Sequence, residues 1–177
     1  MSTVNIGLDP GMTGAIAAVY GGTYKVEDIP TFKVVTGRKR STATGKMIDK
    51  FRTEMNIPEI LSIIKRYRDL SDDVHAWIEA VHSMPDQGVR SMFSMGEGFG
   101  ILKCALAATS TPYTIVHPAT WKKFMMSGMG KEKEASVYRA LQIWPNADLV
   151  GPKGGKKHGR ADALLIARYG ETIGQHG

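Results

Sequence analysis

The first predicted strand of the chain reads Val4-Asn5-Ile6-Gly7-Leu8-Asp9, an alternating stretch that ends on a carboxylate. Pro10-Gly11-Met12-Thr13-Gly14 follows directly and predicts a tight turn into a second strand over Ala15 to Tyr20. A further turn at Gly21-Gly22 leads into a third strand over Tyr24 to Ile29. This part of the sequence therefore predicts a three-stranded antiparallel meander.

A second aliphatic stretch, Val74-His75-Ala76-Trp77-Ile78, also ends on a carboxylate, Glu79. Because side chains alternate between the two faces of a strand, Asp9 and Glu79 lie on the faces opposite the aliphatic residues that precede them. If the two strands are parallel neighbours, both acids lie side by side at one edge of the sheet. A third acid, Asp162, begins an apolar helical stretch one turn after His158, so this pair shares one side of a helix.

Together, these acids predict a metal site for chemistry on a phosphodiester. Neighbouring carboxylates raise each other's pKa unless a cation neutralises them, and Mg²⁺ prefers carboxylate oxygens, water and substrate phosphate. Each residue also has a simpler explanation. Asp9 suits a turn, Glu79 a salt bridge to lysine, His158 a basic loop, and Asp162 the start of a helix, where the dipole favours an acid. The matching positions of the acids at strand ends favour the site.

The remaining sequence predicts an α/β fold with a mixed sheet, because a meander is followed by strands that alternate with helices. Residues 31 to 53 are polar and basic and predict a long mobile loop. No internal repeat or domain boundary is visible, so residues 1–177 predict a single domain. The other predicted elements are a helix begun by Asn56 and Pro58, helices over about Val89 to Ala108, Pro118 to Met125, Lys131 to Trp144 and Gly159 to Tyr169, and a fifth strand over Tyr113 to Val116.

Two glycines, Gly96 and Gly100, lie four residues apart in the predicted helix over Val89 to Ala108. Glycine costs roughly 1 kcal/mol in a helix interior, so this spacing predicts close approach of another backbone. Packing within the chain and contact with a dimer partner both satisfy it.

The composition is that of a globular domain. Of the 177 residues 42% are hydrophobic, and no run approaches the roughly 18 apolar residues of a membrane span. The N-terminal residues lack the basic and apolar stretches of a secretion signal. The single cysteine, Cys104, excludes an intrachain disulfide framework and a cysteine-rich zinc site. These features predict a cytoplasmic, reducing setting and no membrane.

Basic residues are concentrated in three parts of the chain, whose formal net charge is +6. The clusters extend over Lys33 to Lys50, Lys122 to Lys133 and Lys153 to Arg160. They suit an enzyme that grips the phosphates of a polyanion while cutting one of them, although solvated surface also explains each cluster. Two glycine-containing stretches fail as phosphate loops for a nucleotide. The glycines of Gly37 to Lys46 are too widely spaced, and Gly96 to Gly100 lacks dinucleotide spacing, so no nucleotide cofactor is expected.

Several motifs resemble those of the RuvC-type Holliday junction resolvases. They are Ile6-Gly7-Leu8-Asp9-Pro10-Gly11, then Ile78-Glu79, then Ala161-Asp162-Ala163-Leu164 on a late helix. The stretch from Glu79 to Phe93, which includes Met84-Pro85-Asp86-Gln87-Gly88-Val89, is similar to phage and prophage versions. Trp121-Lys122-Lys123 is followed by Lys133 at the family's spacing. The resemblance extends over roughly residues 3 to 170.

This resemblance implies an RNase H-like fold, with a five-stranded mixed sheet flanked by helices. It also implies a homodimer that cuts four-way DNA junctions in DNA recombination and repair. Asp9, Glu79 and Asp162 would hold two Mg²⁺ ions, for which Mn²⁺ is a possible substitute. Lys122 and Lys133 match lysines that hold phosphate near the catalytic site.

The chain departs from the family at its fourth metal ligand. The family often places this ligand three residues before the last aspartate, where the chain has Gly159, so we expect His158 to serve instead. His82 stands where some relatives carry an aromatic residue that stacks at the junction centre, and an imidazole can also stack on bases. The expected DNA-binding residues are Arg38, Lys39, Arg40, His82, Arg90, Lys123, Lys156 and Lys157.

Three other functions compete with junction resolution. Asp9 to Gly14 also fits the phosphate loop of sugar kinases and actin-like ATPases, which need two copies of the domain where this chain has one. A non-catalytic module that binds DNA junctions is a second alternative, against which the three intact acids argue. A nuclease that also cuts flaps and other branched DNA is the third, and the sequence leaves it open.

Overall fold

The computed structural model describes residues 2–82, 88–130 and 132–174. Two expectations therefore lie outside the described residues, the phage-like segment Met84 to Gln87 and the predicted helix start at Lys131. In chain order the elements are β1 (Val4–Asp9), β2 (Ala15–Tyr20), β3 (Thr23–Asp28), β4 (Thr31–Arg40), β5 (Met47–Met55), α1 (Ile57–Arg68), β6 (Val74–Glu79), α2 (Val89–Ala108), β7 (Tyr113–Val116), α3 (Pro118–Met125), α4 (Ala135–Ile143) and α5 (His158–Gly174).

The main sheet has five strands in the order β3-β2-β1-β6-β7. β1, β2 and β3 form the predicted antiparallel meander, while β1 pairs with β6, and β6 with β7, in parallel. Leu8 of β1 is in register with Ile78 of β6. Because the strands are parallel, the carboxyl ends of β1 and β6 meet at the same edge of the sheet.

Helices cover both faces of this sheet. On one face the aliphatic residues of β1 and β6 form a core with buried residues of α1 and α2. On the other face α3, α4 and α5 supply the core. Gly7 allows α5 to lie directly against β1, because a Cβ at this position would come within 2.1 Å of the Ala163 carbonyl oxygen. This contact carries Asp162 towards the end of β1.

The predicted loop over residues 31 to 53 is wrong, because this region forms an antiparallel hairpin of β4 and β5. Its pairing extends from Thr31 opposite Met55 to Arg40 opposite Met47, with an irregularity between Val35 and Gly37. Most of its side chains are exposed. The polar and basic sequence suits a ribbon that is solvated on both faces, and such a ribbon lacks the apolar alternation by which a half-buried strand is recognised.

Most predicted boundaries are confirmed, and the exceptions are small. Asn56 caps α1 by accepting a hydrogen bond from the Glu59 backbone N–H at 3.3 Å. α4 begins at Ala135, after a turn, and not near residue 131. α5 begins at His158, one residue early, and extends past the predicted end to Gly174. No helix within the described ranges is long and apolar enough to cross a membrane.

Gly96 and Gly100 do not pack closely against any other described residue of the chain. A Cβ built at either position meets no atom within 4 Å in the described part of the chain. By contrast Gly98, between them, does lie close to the core, where a Cβ would approach the Met55 methyl group to 2.6 Å. Among the described residues, the side of α2 that carries Gly96 and Gly100 is therefore open.

Candidate active site

Asp9 and Glu79 end neighbouring parallel strands, and the register of Leu8 with Ile78 places both acids at one sheet edge. Asp162 approaches from α5. Burial raises the pKa of Asp9 to about 8, and the charges of Asp162 and Glu79 add to this effect. The three acids thus lie close enough to act on one another electrostatically, as the positions at the strand ends predicted.

Burial also raises the pKa of Glu79 and of Asp162. A hydrogen bond from the Trp121 indole N–H, 2.8 Å from Glu79 Oε1, opposes the rise at Glu79. A hydrogen bond with Ser136 opposes it at Asp162. Asp162 Oδ1 is nevertheless buried and has no hydrogen-bond partner among the described residues. Buried carboxylate oxygens without donors are costly, and a cation would relieve that cost.

The donor set fits Mg²⁺ by its chemistry. Within the described ranges, no three His, Cys, Asp or Glu side chains form a ready-made metal cage. Mg²⁺ does not need one, because it keeps several waters and commonly uses one or two carboxylates together with substrate phosphate. The raised pKa values and the orphaned oxygen of Asp162 are the features that a cation would compensate.

Lys122 is the cation shared by the three acids, since its charge lowers the pKa of Asp9, Glu79 and Asp162. It lines a cleft of about 530 Å³ together with Lys133, Ser136, His158 and Asp162. The structure therefore brings together both predicted phosphate-binding lysines and the predicted fourth ligand.

The backbone around Gly159 leaves no room for a side chain at this position. A Cβ at this position would lie 2.3 Å from the Thr13 carbonyl oxygen and 2.9 Å from the Gly14 Cα atom. The same Cβ would be 3.1 Å from Asp9 Oδ2. Any side chain at 159 would thus collide with the turn after β1. His158 is half-buried in the cleft, and its charge lowers the pKa of Asp162.

The predicted DNA-binding residues of the hairpin differ in their surroundings. Arg38 pairs with Asp49 at 3.3 Å, and Arg40 Nε donates to the Gly45 carbonyl oxygen at 2.9 Å. Lys39 lines a groove of about 1000 Å³ between the hairpin and α2, to which Arg90 also contributes. The hairpin and Arg90 therefore form one surface, which the sequence did not indicate.

The other predicted DNA-binding residues, by contrast, do not share one surface. Lys157 pairs with Asp148 at 2.9 Å, whereas Lys156 places its Nζ 5.5 Å from the centre of the Tyr138 ring. Lys123 is exposed on α3. His82 lies near the site, because its charge lowers the pKa of Glu79.

Three clefts adjoin one another through shared lining residues. The groove beside the hairpin and a second one lined by Lys156 and Lys157 share Met12. The second groove shares His158 with the cleft that contains Lys122 and Asp162.

The sequence did not indicate that Trp121 acts on Glu79 or that Ser136 acts on Asp162. The motif around Trp121 indicates a function only for its lysines. The hydrogen bond from the indole to Glu79 depends on the packing of α3, which the sequence does not show. Ser136 stands in the first turn of α4, and nothing in the sequence connects it to Asp162.

At the level of sequence, no protein-family model and no curated protein matches this chain. Solved structures do match. T. thermophilus RuvC in complex with a Holliday junction substrate has a TM-score of 0.56 at 14% identity, with 99% of this chain and 96% of that chain covered. Another Thermus thermophilus RuvC structure has a TM-score of 0.52 at 16% identity, with coverages of 97% and 96%.

The yeast mitochondrial Holliday junction resolvase Ydc2 superposes less well, with a TM-score of 0.42 at 14% identity and coverages of 97% and 80%. The two RuvC structures show that the chain has their fold, with the five-stranded mixed sheet and flanking helices that the sequence predicted.

Proposed function

We propose that this protein is a metal-dependent endonuclease that resolves four-way DNA junctions. The observation that carries the proposal is the convergence of the half-buried acids Asp9, Glu79 and Asp162 on one sheet edge, with Lys122 as their shared cation. The RuvC structure with a Holliday junction substrate supports the choice of DNA substrate through its common fold. The motif around Glu79 supports a phage-type member, and the single cysteine supports a cytoplasmic setting.

Asp9, Glu79 and Asp162, assisted by His158, would hold two Mg²⁺ ions, with Mn²⁺ as a substitute. When bound, such a pair activates a water and stabilises the leaving oxygen of an in-line displacement. The residues of the chain do the rest. Lys122 and Lys133 attract the scissile phosphate into the cleft, which Ser136 lines beside Asp162.

The adjoining clefts suggest the course of a DNA arm, from the hairpin past Lys156 to the cleft that contains Asp162. Because Arg38 and Arg40 have partners within the hairpin, we expect Lys39 and Arg90 to supply much of the phosphate contact there. Replacing both with glutamine should weaken junction binding in EDTA and reduce the slope of log affinity against log salt by about 2. Lys65→Gln, in the last turn of α1, is the control. An unchanged slope would remove the hairpin from the interface.

We propose a homodimer that forms through the open side of α2. Val89 and Phe93 are 79% and 72% exposed, and Gly96 and Gly100 continue the same side at helical spacing. Glycines at this spacing let a second helix come close, and an exposed apolar stripe is typical of a protein interface. Phe93→Asp should give a monomer in sedimentation, whereas Ile57→Asp, at another exposed apolar position, should not. A dimer that tolerates Phe93→Asp would place the interface elsewhere.

The decisive experiment compares cleavage of a synthetic four-way junction with cleavage of matched duplex and flap DNA, in Mg²⁺ or EDTA. Paired nicks in the junction that disappear with EDTA and with Asp9→Asn would support the proposal. Asp72→Asn, at an exposed acid before β6, should cut normally. Equal cleavage of flaps would broaden the substrate class, and binding without cleavage would refute the catalytic assignment.

A further inference from the structure

Trp121 contacts two members of the candidate site. Its side chain is fully buried, and the indole Nε1 donates a hydrogen bond to Glu79 Oε1 at 2.8 Å. The ammonium of Lys122 lies 5.1 Å from the centre of the same ring, within the range of a cation–π interaction. One core residue thus touches both an acid and the cation shared by all three acids.

The sheet itself brings Trp121 to this place. Val116, the last residue of β7, is in register with Glu79 at the end of β6. Only His117 separates β7 from α3, which begins at Pro118. The first turn of α3 therefore stands beside the carboxyl end of β6, and Trp121 turns inward from it into the core.

An indole N–H is well suited to orient a metal ligand. It donates but does not accept, and it carries no charge and does not titrate. It can fix one oxygen of Glu79 and leave the negative charge of the carboxylate in place. A lysine or arginine in the same position would neutralise that charge. The second oxygen stays available for a cation.

We propose that Trp121 is a positioning residue, which holds Glu79 and Lys122 in the arrangement that binds metal and phosphate. This inference rests on the proposed nuclease function. The competing explanation is a core tryptophan whose N–H pairs with the nearest acceptor, since buried indoles usually find one. The two explanations differ in what happens to metal affinity when only the N–H is removed.

Trp121→Phe removes the N–H and keeps an aromatic ring in the core. The matched control is Trp144→Phe, because Trp144 belongs to the same core and contacts the Tyr24 ring. Binding of Mn²⁺ to the DNA-free protein is measured by calorimetry, at a temperature where all variants are folded. Removing a partner that orients a metal ligand typically weakens metal binding roughly 10-fold to 100-fold, and we expect this for Trp121→Phe alone. Junction cleavage should then require a correspondingly higher Mg²⁺ concentration.

Equal Mn²⁺ affinity in Trp121→Phe and the wild type would overturn the positioning role and leave the proposed function intact. Absence of Mn²⁺ binding and of cleavage in the wild type would overturn both. A loss of affinity as large in Trp144→Phe would assign the effect to general core packing and refute the specific role.

Nuclear magnetic resonance tests the same role in the unaltered protein, should Trp121→Phe not fold. The chain has three tryptophans, so its indole N–H signals are few and can be assigned by single substitution at Trp77 and Trp144. The Trp121 signal should shift on addition of Mg²⁺ and in Glu79→Gln, while the Trp144 signal stays in place. A Trp121 signal that ignores both changes would refute the inference.

Discussion

Asp9→Asn should stabilise the metal-free protein at neutral pH, although it abolishes the proposed activity. Burial and the charges of Asp162 and Glu79 raise the pKa of Asp9 from 3.8 to about 8. In the unfolded chain this carboxyl ionises near its ordinary value. Between pH 3.8 and about pH 8 the unfolded state has lost the proton of Asp9, whereas the folded state keeps it. The free energy of unfolding therefore falls as pH rises through this range.

The size of the effect follows from the same two values. From the ordinary pKa of 3.8 to pH 7 is about 3 pH units, and each unit corresponds to about 1.4 kcal/mol of free energy. Asp9 therefore lowers the free energy of unfolding at pH 7 by at most ~4 kcal/mol. Asparagine has nearly the same shape and cannot ionise. The variant should therefore be less sensitive to pH, and its advantage over the wild type should grow from pH 4 to pH 8 and then level off.

Urea unfolding in EDTA at several pH values between 4 and 9 measures this difference. Asp72→Asn is the control, because Asp72 is exposed. Adding Mg²⁺ should raise the stability of the wild type more than that of Asp9→Asn, since a ligand that binds only the folded state stabilises it. If the stabilities of the wild type and of Asp9→Asn depend on pH in parallel in EDTA, burial does not disfavour the ionised form of Asp9. A cation would then not be needed to compensate its charge.

Three further outcomes test the packing and charge of the site. Gly7→Ala should lower the free energy of unfolding by about 1–3 kcal/mol, because its Cβ would overlap the α5 backbone. Urea unfolding measures this loss, and an unchanged midpoint would show that the position tolerates a side chain. Gly159→Asp should place a carboxylate three residues before Asp162 yet lose both stability and the proposed cleavage, because a side chain there meets the Thr13 carbonyl; an active and stable variant would contradict the structure. Lys122→Gln should reduce cleavage and raise the pKa values of the three acids further, which carboxyl signals in nuclear magnetic resonance would report; unchanged signals would separate Lys122 from the acids.

The sequence predicted the elements whose chemistry is local. β1 and β6 alternate and end on acids, Asn56 and Pro58 mark the start of α1, and each of these signals depends on residues near one another in the chain. The sequence did not predict the hairpin of β4 and β5, because its exposed strands have no buried face that would require alternating apolar residues. The bond between Trp121 and Glu79 joins residues 42 positions apart, and only the packing of α3 beside β6 creates it.

The position of His158 shows how packing decides chemistry that spacing alone does not. Gly7 and Gly159 each let α5 come close to β1 and its following turn, and a side chain at either position would overlap backbone. This close contact carries Asp162 to Asp9, so the charges of the two acids interact. The same contact leaves no room for a ligand at 159. If the proposed metal site has a fourth ligand, it must therefore come from a neighbouring position, and His158 lines the cleft beside Asp162.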